Sequence, residues 1–147
     1  MRYKTWTSKF LLIGLGFVLS SPIAVAATNT ATDPEDTSFS KLGNSEEGRR
    51  IFNRCKACHN LTATDRTRLG PNLNSLFGRH AGTAENYKYS RALLEADFVW
   101  TETALDEWLT KPNSFLPGNK MQFAGLRKDQ DRKDLIAYLR QTTISAN

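Results

Sequence analysis

Cys55-Lys56-Ala57-Cys58-His59 is the stretch from which the rest of the chain is read. Its thiols are three residues apart, and the imidazole lies four residues after the first thiol. On a helical turn, positions i, i+3 and i+4 share one face, so two sulfurs and a nitrogen would point toward one flat object. C-x-x-C-H is the attachment signature of c-type haem. The thiols form thioethers to the vinyl groups of a rigid porphyrin, and the imidazole binds the iron. Three other readings are weaker. A thioredoxin-like redox pair needs a βαβ pattern around it, and the flanking sequence has none. A zinc site from Cys55, Cys58, His59 and His80 has the right ligand count, but adjacent Cys58 and His59 cannot readily both turn onto one ion. A Cys55–Cys58 disulfide would close a tight, strained ring and staple little.

The 147 residues, 24% charged and 39% hydrophobic, allow one soluble globular domain plus an extension. The formal charge is +5, and its distribution matters more than its sum. Arg2, Lys4 and Lys9 precede an apolar run, Asp33, Glu35 and Asp36 follow it, and residues 41–147 hold 17 Lys and Arg against 12 acids. A moderately basic domain suits an acidic protein partner, and leaves room for peripheral contact with an anionic membrane. The cations are not clustered among aromatics, which argues against nucleic acid.

The charged start, the apolar run Phe10–Leu19 and the ending Ile23-Ala24-Val25-Ala26 have the form of a secretory signal peptide over residues 1–26. Cleavage is expected after Ala26, with Ala27 the alternative. The competing reading is an uncleaved anchor: Phe10 to Ala27 runs eighteen residues without a charge, the short edge of a membrane span, although Ser20, Ser21 and Pro22 weaken it. Either way the remainder is exported, and covalent haem attachment takes place on the outer side of a bacterial membrane. The expected location is the periplasm of a Gram-negative bacterium, free or anchored to the membrane. Residues 27–42 are polar and read as a flexible leader, with the folded domain over residues 43–147.

Within that domain the pattern predicts short helices and no strand series. Ser45 reads as an N-cap with Glu46 and Glu47 in the first turn, and Ile51 and Phe52 as core. Asn60–Leu69 reads as a loop and Gly70-Pro71-Asn72-Leu73 as a turn. Tyr87 and Tyr89 suggest a short extended piece, and Ser90–Glu95 one or two helical turns. Thr101 caps a helix through Leu109 whose face is Leu105, Trp108 and Leu109; Lys111-Pro112 ends it. A last helix starts at Asp129 or Asp131, with Leu135, Ile136, Tyr138 and Leu139 as its apolar stripe. So thin a core is expected to need a buried cofactor as its apolar centre.

One histidine leaves one axial place on the iron. His80, a lysine, Met121 or water are the candidates. Once Met1 has gone with the signal peptide, Met121 is the only methionine, in a Pro-Gly loop 62 residues after His59. A lone methionine is ordinarily core packing; beside a haem motif, and in an irregular loop, the ligand reading is the stronger. His80, next to Arg79, reads as surface. Lys120 is a candidate replacement ligand at alkaline pH.

Seven separated motifs then occur in order: Cys55-Lys56-Ala57-Cys58-His59, Gly70-Pro71-Asn72-Leu73, Leu76-Phe77-Gly78-Arg79, Tyr87-x-Tyr89-Ser90, Trp100, Pro117-Gly118-Asn119-Lys120-Met121-x-Phe123-Ala124-Gly125 and Asp134-Leu135-Ile136-Ala137-Tyr138-Leu139. Over residues 43–147 this resembles class I cytochrome c of the mitochondrial and bacterial cytochrome c2 type. The resemblance implies an all-α fold of short helices wrapped around one covalent haem c. By match, Cys55 and Cys58 hold the haem, His59 and Met121 are the axial ligands, and the Pro71 carbonyl accepts from the His59 ring N–H. Arg79, Tyr89 and Trp100 match residues holding a haem propionate, Phe123 a ring beside the haem, and Gly48, Phe52, Leu135 and Tyr138 the contact between first and last helices. Three positions depart from the family: Leu93 for an Asn near the propionates, Trp108 for a Tyr near the axial sulfur, and Asn119 for a Thr.

Two tight axial ligands leave no open coordination place, so the resemblance implies a one-electron carrier, not an enzyme. Its partners would be redox proteins with acidic docking surfaces, such as a cytochrome bc1-type reductase, a terminal oxidase or a reaction centre, met by a monomer. Arg54, Lys56, Arg68, Lys120, Arg127 and Lys128 match or neighbour the family's basic rim, which Asn113 and Ser114 thin. The alternatives are an electron-entry subunit of a larger dehydrogenase and a small haem peroxidase.

Overall fold

A computed structural model describes residues 38–64 and 68–143. These belong to the unit Ala31–Asn147; the unit Met1–Thr30, and with it the expected signal peptide, lies outside the described residues. The described residues form α1 (Ser38–Leu42), α2 (Ser45–Phe52), α3 (Arg91–Leu94), α4 (Glu102–Thr110), α5 (Pro112–Phe115) and α6 (Asp129–Thr143). Extended pairing among them is limited to one antiparallel bridge, His80 with Val99. The all-α class expected from the sequence holds.

Local chemistry accounts for the helix starts. Asn44, not Ser45, is the N-cap of α2, its side chain accepting from the Glu46 and Glu47 amides. The Asn44 N–H donates to Asp134 Oδ1 at 2.7 Å, so the cap also fastens α2 to α6. Ser90 caps α3, and Thr101 caps α4 through the Ala104 amide at 3.0 Å. Pro112 ends α4 as expected and then, at the first position of α5, opens a further turn, where its missing N–H costs nothing.

The leader expected over residues 27–42 is corrected at its end. Ser38–Leu42 is helical and packs on α4 and α6; Phe39 joins the margin of the core. A buried acid holds it: Glu102 is 0% exposed, its Oε2 accepts from the Ser40 N–H at 2.9 Å and its Oε1 from Arg140 Nε at 2.8 Å. Hydrogen bonds within the chain thus order a segment whose composition alone is polar.

The main crossing is α2 on α6. Phe52 and Tyr138 meet there with ring centroids 5.6 Å apart, and Leu135, Ile136 and Leu139 are buried beneath. Gly48 allows the close approach: a methyl group on it would overlap the Asp134 carbonyl and press on Tyr138 Cβ at 2.7 Å. Gly48→Val is therefore expected to destabilise the protein by about 2–3 kcal/mol, as overpacking at a rigid contact does. Denaturant unfolding checks this; a midpoint equal to wild type would contradict it.

Candidate functional site

Cys55 to His59 lies beyond the end of α2, in successive tight turns. Cys55 N–H donates to Phe52 O at 2.8 Å, Cys58 N–H to Cys55 O at 3.0 Å and His59 N–H to Cys55 O at 3.0 Å. The stretch is not α-helix, but the turns preserve the spacing that the motif requires. The two cysteines are not joined to each other, and both are half-buried. Burial pushes the Cys55 thiol up to about 11, with Arg54 opposing and Cys58 adding to the shift.

His59 is fixed from two sides. Its Nδ1 is 2.8 Å from the Pro71 carbonyl; a carbonyl only accepts, so Nδ1 carries the proton and Nε2 keeps its lone pair. Gly70 lies so close that a methyl group there would meet the ring atoms at 2.5–2.9 Å. Burial lowers the pKa of His59, the Pro71 bond partly countering it, so the neutral, ligating form is favoured.

All nine expected site residues line one cavity of about 360 Å³: Cys55, Cys58, His59, Pro71, Arg79, Tyr89, Trp100, Met121 and Phe123. Its remaining wall is largely apolar, with Leu73, Leu76, Leu105, Leu109, Leu135 and Leu139. The cavity therefore sits in the core, among side chains that also pack α4 on α6. Of the departures from the family, Leu93 and Trp108 line it and Asn119 does not. His80 is exposed and off the lining. Among the described residues no cluster of His, Cys, Asp and Glu could hold a bare metal ion.

Arg79 supplies an independent test of fit to haem. Nη1 donates to Asn74 O at 2.7 Å and Nη2 to Asn72 O at 3.0 Å, but its Nε is buried with no partner. An unfilled buried donor is costly, and burial also lowers the guanidinium's pKa, with Tyr89 acting the other way. A carboxylate of the cofactor beside Arg79 would relieve both costs. An apolar chamber, two thiols, an imidazole with a free nitrogen, a thioether and one unfilled cationic donor together match the needs of haem.

Some lining residues are not among the site residues expected from the sequence. Tyr87 stacks edge-on against Tyr89 at 4.8 Å and donates from its hydroxyl to Leu69 O at 3.1 Å. The i, i+2 spacing of two tyrosines is the signal that could have found it. Leu69 is 83% exposed yet reaches the lining; nothing in its sequence setting marks it.

The cations divide by partner. Arg49, Arg50, Arg91, Arg132, Lys133 and Arg140 are ion-paired. Arg54, Lys56, Arg68, Lys120, Arg127 and Lys128 are exposed. Arg54 lies over the Phe123 ring at 5.3 Å. Arg68 donates to Asn60 Oδ1 at 2.6 Å and to Lys56 O at 2.9 Å. Lys120 Nζ donates to Lys88 O at 3.1 Å and Tyr89 O at 3.2 Å. Arg54 and Lys120 line the cavity; Arg127 and Lys128 do not.

The family model described as Cytochrome c matches residues 45–143. Cytochrome c of Chlamydomonas reinhardtii is 47% identical over 102 residues, 69% of this chain and 91% of that protein. Cytochrome c2 of Blastochloris viridis is 37% identical over 131 residues, 89% of this chain and 91% of that protein. The solved structure of cytochrome cH from Methylobacterium extorquens superposes with a TM-score of 0.63 at 36% identity, covering 67% of this chain and 99% of that one. The chain belongs to the cytochrome c family: it is an electron-transfer protein rather than an enzyme, and its cofactor is covalent haem c.

Proposed function

We propose that the chain carries single electrons between larger redox proteins, with Cys55 and Cys58 as the haem attachment points and His59 and Met121 as axial ligands. The observation that carries this is the meeting of His59 and Met121, 62 residues apart in sequence, on one core cavity. Bound haem supplies one-electron exchange between ferric and ferrous iron. The chain's own residues do the rest. Pro71 holds the His59 proton on Nδ1, Gly70 leaves the ring its space, and the apolar wall keeps water from the iron. Met121 would offer its thioether as the second ligand to the haem iron, which would raise the potential relative to two histidines and would leave no place for oxygen or peroxide. Arg79, Tyr89 and Trp100 hold the cofactor's carboxylate end, and Phe123 borders the group under Arg54.

The working domain includes α1 and so begins by residue 38, preceded by a shorter leader and an export signal over residues 1–26 that delivers the chain to the periplasm of a Gram-negative bacterium, with an uncleaved anchor as the variant form. The protein acts as a monomer. Its partners present acidic surfaces, as a cytochrome bc1-type reductase, a terminal oxidase or a reaction centre would. What supports this is the set of exposed cations, Arg54, Lys56, Arg68 and Lys120, on and beside the cavity's lining and its attachment motif. Such docking is brief and charge-steered. Electron transfer to an acidic partner is expected to slow about tenfold or more as ionic strength rises from about 10 mM to about 200 mM. Stopped-flow rates measure this, and a rate indifferent to salt contradicts charge-steered exchange.

A further inference from the structure

Asn119 is one of the positions where the chain departs from its family, and its side chain is unusually committed. Its Oδ1 accepts from the Met121 N–H at 2.8 Å. Its Nδ2 lies 2.8 Å from Leu116 O, 3.0 Å from Asn113 Oδ1 and 3.1 Å from Pro112 O. The partners fix the orientation of the amide, because an N–H cannot accept and the two carbonyls cannot donate. With two hydrogens for three acceptors, one bond is shared.

These contacts join places that backbone hydrogen bonds leave loosely connected. Between Leu116 and Lys128 the chain has no helix, and Gly118 turns with φ of +84°. Across this irregular segment Asn119 ties the Met121 backbone to α5. That helix is itself seated in the core: Phe115 stacks edge-on against Trp108 at 5.9 Å and Phe98 at 5.4 Å, and Trp108 meets Trp100 at 5.4 Å. A continuous path therefore runs from the aromatic wall of the cavity, through α5 and one amide side chain, to the residue read as the axial ligand.

We propose that Asn119 is a positioning residue that latches the Met121 loop to α5 and sets how often Met121 leaves the cavity. The inference rests on the reading of Met121 as ligand for its functional consequence, but the latch itself does not. A threonine hydroxyl can accept from the Met121 N–H and donate to one acceptor, but its single hydrogen cannot serve Pro112, Asn113 and Leu116 as the two amide hydrogens do. The chain thus holds its sixth-ligand loop more firmly than a hydroxyl at the same position would.

The test compares wild type, Asn119→Ala and Asn119→Thr in the haem-loaded ferric and ferrous protein. Amide hydrogen exchange at Met121 is expected to accelerate about ten- to a hundredfold in Asn119→Ala, with Asn119→Thr between it and wild type. The amides of Leu135 and Leu139 on α6 should keep their wild-type rates, which separates loop opening from general loss of stability. In the ferric protein, added imidazole should displace the methionine sulfur faster by a similar factor in Asn119→Ala, read as decay of the sulfur-to-iron charge-transfer band. Unchanged Met121 exchange in Asn119→Ala, or acceleration matched on α6, overturns the latch. If wild type lacks the band while Met121 exchange still accelerates in Asn119→Ala, the latch stands and the ligand reading falls.

Discussion

Met121→Ala is expected to abolish the sulfur-to-iron charge-transfer band and convert the ferric iron to a form that binds water or added imidazole. The side chain is the one thioether lining a cavity that also holds His59, and among the described residues no second methionine exists to replace it. His80 cannot serve without rearrangement, because it is exposed and bridged to Val99 away from the cavity. The reduction potential should fall by on the order of 0.2 V, a fraction of the roughly 0.8 V span that axial ligands command. The fold should survive, since Met121 lies at the core's margin and not within its buried cluster. Spectra and potentiometry of the purified variant check the outcome. An unchanged ligand field would remove Met121 from the iron, and Lys120, its neighbour, would be the next candidate.

The second large effect concerns stability. Glu102→Ala is expected to cost about 3 kcal/mol, the scale for removing one member of a buried ion pair. Glu102 is wholly buried and serves α1 through Ser40 and α6 through Arg140. Removing it strips both of a partner. Arg140 keeps a contact over the Phe77 ring at 4.3 Å and is 22% exposed, which holds the loss at the lower end of the buried-pair range. A paired Glu102→Leu, Arg140→Leu change should recover part of the loss, because apolar replacement of both partners is often nearly neutral. Additive losses in the double variant would contradict that coupling. The denaturant midpoint measures each form.

The site was more legible in the sequence than the fold around it. Cys55, Cys58 and His59 are tied by spacing to a rigid cofactor, so three letters at fixed offsets carry their geometry. Met121 followed from scarcity and from its place in an irregular loop. Pro71, Arg79, Tyr89, Trp100 and Phe123 came only through resemblance, because nothing in their local sequence points into a cavity; they lie on separate irregular segments that only the folded chain brings to one lining. Helix starts were legible to within a residue where a side-chain cap exists, as at Thr101 and Ser90. The shift from Ser45 to Asn44 reflects two adjacent residues that both cap well, decided by the bond from Asn44 to Asp134 on a distant helix.

What sequence could not show depends on contacts between remote residues. Ser38–Leu42 has two apolar side chains, Phe39 and Leu42, and Leu42 is 64% exposed; no periodicity marks so short a helix. Its order comes from Glu102, which in sequence is only a favourable acid at a helix N-terminus. Asn119 is a similar case. In sequence it is only a departure from a threonine, whereas its four short contacts give it a definite place beside the Met121 backbone.

X-ray absorption at the iron edge, on the purified haem-loaded protein in both oxidation states, tests the central claim most directly. The expected result is a single sulfur scatterer beside the porphyrin and imidazole nitrogens in ferric and ferrous forms alike, with little change in iron–ligand distances between them. A nitrogen or oxygen in place of the sulfur in either state, or a five-coordinate iron, would contradict a closed His59–Met121 carrier.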